Sequence, residues 1–269
     1  MNESSTSDAL QRLLGIMRAL RDPQTGCAWD REQTLESIVP HTLEESHELA
    51  EAIAGGDAAR IRDELGDLLF QVVFLARIAE ERGWFAFDDV ARGIGDKLVR
   101  RHPHVFAAPA ELSAAEQTRA WEVFKENERR SAGETGALGG VARSLPALTR
   151  AVKLGKRAAR VHFDWPDASG LRRKLDEELG EFEATLADAE GPARQHDELG
   201  DLLFVIANWA RHLQLDPEAA LRGTNAKFER RFAHMERAAA AAGTALHDLD
   251  AAAWEQLWQQ AKAAERAPR

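Results

Sequence analysis

Apolar residues recur at intervals of three and four along most of this chain, the spacing that places them on one face of an α-helix. The pattern is clear over 10–17, 65–72 and 228–235. Strand-like alternation is scarce, tyrosine is absent, and alanine, leucine, glutamate and arginine, which favour helices, are abundant. The sequence therefore predicts an all-α fold.

Two predicted helices, 68–76 and 202–210, are apolar on nearly every side. A helix of that kind is normally central and buried. Each half of the chain offers only about four or five helices to cover it. We therefore expect two tandem helical domains with four-helix-bundle-like cores, completed by packing of the halves on each other and by dimerisation.

The midpoint of the chain interrupts the helical pattern. Residues 131–140, SAGETGALGG, are glycine-rich and have no apolar face, so they predict a flexible linker between domains at 8–130 and 141–264. Both flanking segments contain, in the same order, a glutamate cluster, the octapeptide DELGDLLF, a Lys-x-x-x-Arg pair and a Trp-x-x-x-Lys pair. Four matched blocks in one order indicate an internal repeat.

Composition excludes several classes of function. A formal net charge of −10 over 269 residues makes the chain a poor general binder of nucleic acid or of anionic membranes. No apolar run approaches the ~20 residues that span a bilayer. The N-terminal stretch is polar, and the single cysteine, Cys27, excludes an internal disulfide. We expect a cytoplasmic protein with no stable nucleic acid or membrane partner.

Carboxylates cluster in the same arrangement in both halves. In the second half, Glu177, Glu178 and Glu181 share one face of a predicted helix, and Glu198 and Asp201 share a face of the next. The first half carries the equivalent set: Glu44, Glu45, Glu48, Glu64 and Asp67. Like charges at this spacing repel one another and destabilise a helix, so a bound cation that offsets them is expected.

The donor set indicates which cation. Oxygen ligands favour Mg²⁺, with Mn²⁺ as a substitute, over zinc or copper. A di-iron site would need Glu-x-x-His motifs; Glu44 and His47 form one, but Gly180 occupies the position of His47 in the second half. Because Mg²⁺ keeps waters and takes phosphates as further ligands, a phosphate substrate is expected. A solvated acidic face is the alternative, but Gly66 and Gly200 inside the predicted helices favour close approach of a backbone or a ligand.

The motif E-E-x-x-E, a spacer of 15 or 16 residues and E-x-x-D resembles the signature of the all-α nucleoside triphosphate pyrophosphohydrolases. With the tandem arrangement and the segments LRDPQTGCAWDREQT, RRHPHVF, RSLPALTRA and NAKFERRF, the resemblance over about 8–264 is to the MazG family. It implies a homodimer that hydrolyses nucleoside triphosphates with Mg²⁺ between the α and β phosphates, with broad base tolerance. The expected physiological role is nucleotide-pool housecleaning or stress regulation.

The resemblance also implies roles for particular residues. The ten carboxylates named above would be metal ligands or would orient the attacking water, with Glu178, Glu198 and Asp201 as the catalytic group. The residues that would hold phosphate and nucleotide are Lys227, Arg231, Trp258 and Lys262 in the second half and Lys97, Arg101, Trp121 and Lys125 in the first.

Three questions stay open in the sequence. The enzyme could have a narrow substrate such as dCTP, dUTP or an alarmone, and a non-catalytic helical interaction protein would also contain an acidic groove. Both carboxylate sets are complete, so they do not decide whether both halves are active. The basic helix favours the second half, because Pro103 is expected to end the equivalent helix of the first half beside Arg101.

Overall fold

A computed structural model describes residues 3–107, 136–187 and 191–266, together with isolated positions between 107 and 136. The chain divides into two compact units, Met1–Phe124 and Lys125–Arg269. All regular secondary structure in the described residues is helical, so the all-α prediction is confirmed. Among the described helices, none combines the length and the apolar character that crossing a bilayer requires.

The first unit is built on a pair of long helices joined by a tight turn. Its helices are α1 (Glu3–Leu20), α2 (Ala28–Glu32), α3 (Leu35–Gly55), α4 (Ala58–Glu81), α5 (Phe87–Arg101) and α6 (Pro103–Phe106). Thr34 and Ser37 form a capping box that starts α3, and Gly56 ends it with a φ of +73°. The side chain of Asp57 caps the start of α4 at once. These signals turn α4 back along α3, and the two helices pack together.

The core of the first unit joins three of these helices. Met17 of α1, Ile38 of α3 and the α4 residues Val73, Phe74 and Ile78 are buried together. Each such side chain contributes roughly 1.5–3 kcal/mol on burial. This core holds α3 and α4 in fixed positions, and so also positions the side chains that face each other across the two helices.

The second unit repeats the helix pair and continues the helical pattern further. Its helices are α7 (Ala147–Ala159), α8 (Ala168–Ala187), α9 (Pro192–His212), α10 (Pro217–Ala241) and α11 (Ala251–Arg266), with a 3₁₀ turn at Leu246–Asp248. Helix α9 packs against α7, α8 and α10, and α10 packs against α11. A Cβ at Gly155 would overlap the buried Asn208 side chain, so glycine there permits the close approach of α7 to α9.

The most apolar helices are buried on one side only. In α4, Val73 and Phe74 are buried while Leu65, Leu69 and Val72 remain exposed. Within the described residues of one unit these helices are therefore not covered all round, and the packing expected to cover them stays a prediction. The predicted linker lies partly outside the described residues, at 131–132 and 134–135.

Candidate functional site

The facing helices of each unit bring carboxylates together. Within each unit, one oxygen from each of three side chains lies within 4.8 Å of the others. The groups are Glu45, Glu48 and Glu64 between α3 and α4, and Glu178, Glu198 and Asp201 between α8 and α9. When the two halves are aligned through the sequence repeat, the two groups together occupy four equivalent positions: Glu45/Glu178, Glu48/Glu181, Glu64/Glu198 and Asp67/Asp201.

Burial distinguishes the second unit. Glu178 is only 5% exposed and Glu198 only 2%. The Oε2 atom of Glu178 is buried and has no hydrogen-bond partner within the described structure. An unpaired buried carboxylate oxygen costs free energy unless a cation compensates it. The site therefore has the form expected of a cation site.

The electrostatics connect further predicted members to these groups. Burial raises the pKa of Glu45, and the negative charges of Asp67, Glu48, Glu64 and Glu44 raise it further. In the second unit, burial again raises the pKa of Glu198. There Arg194 opposes the shift, while the carboxylates Glu181, Glu178 and Asp201 reinforce it. Each cluster is thus a set of mutually repelling carboxylates in an environment that disfavours their charge.

Glu44 and Glu177 lie at the edge of their clusters. The Oε1 atom of Glu177 accepts a hydrogen bond from Lys174 Nζ at 2.7 Å. An oxygen of Glu44 lies 3.8 Å from His41 Nδ1. Neither carboxylate belongs to the three that converge in its unit. Their role as metal ligands stays a prediction.

Sequence reasoning missed the cations beside the carboxylates. Lys174 Nζ also lies 2.7 Å from Glu178 Oε1, and these contacts, with Glu177 first, raise the pKa of Lys174. Arg194 pairs with Glu198, and Arg60 lies 3.6 Å from Glu64. Each of these cations precedes its glutamate by four residues. That spacing can be read from the sequence, but it is also common on solvent-exposed helices. The burial of the glutamate, which the sequence does not show, is what marks the pair as part of the site.

The predicted basic and aromatic residues of the second unit form a cluster along α10 and α11. The Arg231 guanidinium lies 5.4 Å from the centre of the Trp258 ring, and its Nε donates to Glu265 Oε2 at 2.7 Å. Lys227 and Lys262 are half-buried on the same two helices. Helix α10 also packs against the carboxylate helix α9.

The equivalent residues of the first unit are less regularly placed. Lys97 and Arg101 belong to α5, which packs against α4, and Arg101 is the last residue of that helix. Trp121 makes an edge-on ring contact with His102 at 5.3 Å. Lys125 lies outside the described residues. The helix end expected from His102 and Pro103 is confirmed.

The donor set fits a hard divalent cation. Both converging groups consist of carboxylates only. His47, which a di-iron motif would use, is exposed and belongs to neither group. Oxygen donors of this kind suit Mg²⁺ and Mn²⁺. The carboxylates that converge, and so could hold such an ion, are the three of each unit, while Asp67 and Glu181 belong to neither group.

Paired helices that carry convergent carboxylates, present twice in one all-α chain, are the features of the all-α nucleotide pyrophosphohydrolases. The model of the MazG nucleotide pyrophosphohydrolase domain matches residues 33–106. A nucleoside triphosphate pyrophosphohydrolase of Escherichia coli (strain K12) is 48% identical over 94% of this chain and 97% of its own length. The chain therefore belongs to the MazG family of nucleoside triphosphate pyrophosphohydrolases, which confirms the resemblance and the assignment as an enzyme.

Two proteins of Thermotoga maritima are also similar. A nucleoside triphosphate pyrophosphohydrolase/pyrophosphatase MazG is 41% identical over 94% of this chain and 95% of its own length. A crystal structure of a mazG-related protein is 26% identical and covers 43% of this chain and 98% of that one, with a TM-score of 0.37.

Proposed function

We propose that this protein is a cytoplasmic homodimer that hydrolyses nucleoside triphosphates, both ribose and deoxyribose forms, to the monophosphate and pyrophosphate with Mg²⁺. A role in nucleotide-pool housecleaning or in stress regulation follows from that activity. Family membership supports the reaction. The observation that carries the proposal is the buried, unpaired Glu178 Oε2 beside Glu198 and Asp201. A mere acidic surface would leave that oxygen solvated.

Glu178, Glu181, Glu198 and Asp201 would hold the ion in the second unit. Bound there, Mg²⁺ would neutralise phosphate charge and lower the pKa of a coordinated water. Water adds to the α-phosphorus, the bond to the bridging α–β oxygen breaks, and pyrophosphate leaves. A buried carboxylate with a raised pKa is suited to accept the proton that water releases. We assign that proton transfer to the pair Glu178 and Glu198. Within this pair, burial raises the pKa of Glu198.

The basic residues of α10 would hold the triphosphate. Lys227 and Arg231 are four apart on one continuous helix and would bind the departing pyrophosphate. Arg231 would exchange its present partner Glu265 for phosphate. Trp258 stands beside Arg231 and offers a ring face to a base. Because every base has a π-face, stacking tolerates different bases and supports a broad substrate range.

A pyrophosphate-release screen with all eight common ribo- and deoxyribonucleoside triphosphates tests this function. With Mg²⁺ we expect turnover of each nucleotide to monophosphate and pyrophosphate, and none after chelation. Release of orthophosphate and diphosphate would show that a different bond is broken. Assays of dUTP and of a guanosine tetraphosphate alarmone are run alongside, and turnover confined to dCTP, dUTP or the alarmone would favour the narrow enzyme instead. The Glu198→Gln variant controls for a contaminating pyrophosphohydrolase.

A further inference from the structure

The two carboxylate clusters differ at the helical position that precedes the first buried glutamate by four residues. In the second unit this position is Lys174, which lies four residues before Glu178. In the first unit it is His41, which lies four residues before Glu45. The repeat therefore places an ammonium group in one cluster and an imidazole in the other.

The contacts at this position differ in strength. Lys174 Nζ lies 2.7 Å from an oxygen of Glu177 and from an oxygen of Glu178, and the Glu178 side chain is only 6% exposed. The corresponding contact, His41 Nδ1 to Glu44, is 3.8 Å long, and its side chains are 43% and 66% exposed. Solvent-exposed ion pairs contribute little free energy because water and salt screen them. A pair with one deeply buried partner is screened much less.

The neighbouring arginines do not remove this difference. Arg194 pairs with Glu198 in the second unit, and Arg60 lies 3.6 Å from Glu64 in the first. Each cluster thus has one arginine beside equivalent glutamates. With histidine counted as neutral at pH 7, the first cluster carries one formal negative charge more than the second.

We propose that Lys174 is an internal counter-ion which occupies the carboxylates of the second unit when no divalent cation is bound. The first unit lacks this group and binds Mg²⁺ or Mn²⁺ more tightly in the absence of nucleotide. Glu178 holds that ammonium on one oxygen while its other oxygen is buried without a partner, so a divalent cation that binds the second cluster must displace the ammonium or bind against its positive charge. This inference rests on the metal site of the proposed function but concerns binding of the metal alone.

Displacing Lys174 has two costs. The ion pairs with Glu177 and Glu178 are lost, and the displaced ammonium stays near the incoming cation because α8 holds its backbone one turn away. Both effects weaken binding in the second unit. We expect its affinity for Mn²⁺ to be at least about tenfold below that of the first unit, the size expected when a partly buried ion pair is broken beside a cation.

Calorimetric titration of the full chain with Mn²⁺, without nucleotide, tests the inference. Two classes of site are expected. The Glu64→Gln variant should lose the tighter class and Glu198→Gln the weaker one, which assigns each class to its unit. Equal affinities in the unaltered protein, or the reverse assignment, would overturn the proposal, as would a failure of either unit to bind Mn²⁺.

Substitution at the counter-ion position makes the test specific. Lys174→Met keeps most of the length of the side chain and removes its charge, so it should bring the weaker class to within about threefold of the tighter one. The reciprocal change, His41→Lys, should weaken the tighter class. Unchanged affinities in both variants would contradict the proposal. If Lys174→Met does not fold, as judged by thermal unfolding, Lys174→His serves instead and should act in the same direction.

A matched control lies on the same helix. Arg172 pairs with Asp176, which belongs to neither converging group. Arg172→Met removes the same charge from α8 and should leave both affinities within about twofold, since a solvated charge that distant is largely screened. An effect equal to that of Lys174→Met would mean that net charge, not the Lys174 contact, sets the affinity. Pyrophosphate release is measured separately, so loss of turnover with two intact Mn²⁺ classes would refute only the proposed function.

Discussion

Asp164, in the connection between α7 and α8, forms charged hydrogen bonds with the last two residues of α9, next to the connection that leads to α10. It accepts from Arg211 Nη1 at 3.0 Å and lies 3.1 Å from His212 Nε2. These partners, Arg211 first, lower the pKa of Asp164 to about 2. The connections also contain His162 and Gln214, whose φ angles are +63° and +59°. A left-handed conformation is costly for residues other than glycine, so the Asp164 contacts help to hold both connections in place.

We expect Asp164→Asn to lower the free energy of unfolding by about 2 kcal/mol at pH 7, the value that linkage gives for a pKa shift of this size. Because the pKa of Asp164 is lowered on folding from 3.8 to about 2, its contribution is present above pH 4 and is lost as the pH falls toward 2. Urea unfolding across this range should show the difference between the two proteins shrinking with acid.

Asp63→Asn is the control for this substitution. Asp63 pairs with Arg62, and both side chains are more than two-thirds exposed. Removing that pair should change the free energy of unfolding by less than about 0.5 kcal/mol. Equal effects of the two substitutions would show that Asp164 contributes no more than a surface ion pair.

Single residues also show which parts of the site the sequence predicts. The convergence of Glu178 with Glu198 and Asp201 follows from helical spacing on two successive helices, and the structure has it. The Arg231–Glu265 contact joins α10 to α11 across 34 positions, and no local pattern predicts such a pair. The Lys174–Glu178 contact lies between these two cases. Its four-residue spacing can be read from the sequence, but the burial of Glu178 results from the packing of the helices.

At the scale of the helix, the two units differ most where the basic pair lies. Helix α5 ends at Arg101, since His102 has left the helical conformation and Pro103 follows. Helix α10 continues from Arg231 to Ala241. Lys227 and Arg231 therefore project from a continuous helix at fixed spacing, while the guanidinium of Arg101 projects from a helix end.

We predict from this difference that the second unit performs most of the hydrolysis. Displacement of a phosphate-binding group by about 1 Å can cost ~100-fold in rate. Glu198→Gln should therefore lower kcat at least ~100-fold, and Glu64→Gln, which removes the same charge from the first unit, less than about tenfold. Pyrophosphate release at saturating nucleotide and Mg²⁺ measures both.

Equal losses of kcat in the two variants, or a larger loss in Glu64→Gln, would contradict the argument from the helix end. The prediction is compatible with tighter metal binding by the first unit, because metal affinity depends on the carboxylates and Lys174, whereas turnover also needs phosphate held at a fixed position. A unit can thus retain a divalent cation and still be a poor catalyst.

At the scale of the whole molecule, the exposed apolar surface repeats from one unit to the other. Leu65, Leu69 and Val72 line one face of α4, and their equivalents on α9 are Leu199, Leu203 and Ile206; all six are exposed. A Cβ added at Gly66 or at Gly200 would meet no described atom within 4 Å. The close approach that these glycines predicted is therefore not made by the described residues of their own unit. A second copy of the chain would supply it if these faces form a dimer interface.

We therefore predict that the protein is a homodimer in which these two faces are covered. Rows of exposed leucine and isoleucine at helical spacing on the most apolar helix of each unit are unfavourable in water, and each leucine buried would contribute up to roughly 1.5–3 kcal/mol. Light scattering at micromolar concentration should give twice the chain mass of 29.7 kDa.

Leu203→Glu places a charge in the row and should yield monomers, whereas Leu213→Glu, equally exposed but beyond the end of α9, should leave the dimer intact. A stable monomer of the unaltered protein, or a Leu203→Glu variant that dimerises as before, would show that another surface or none joins the chains.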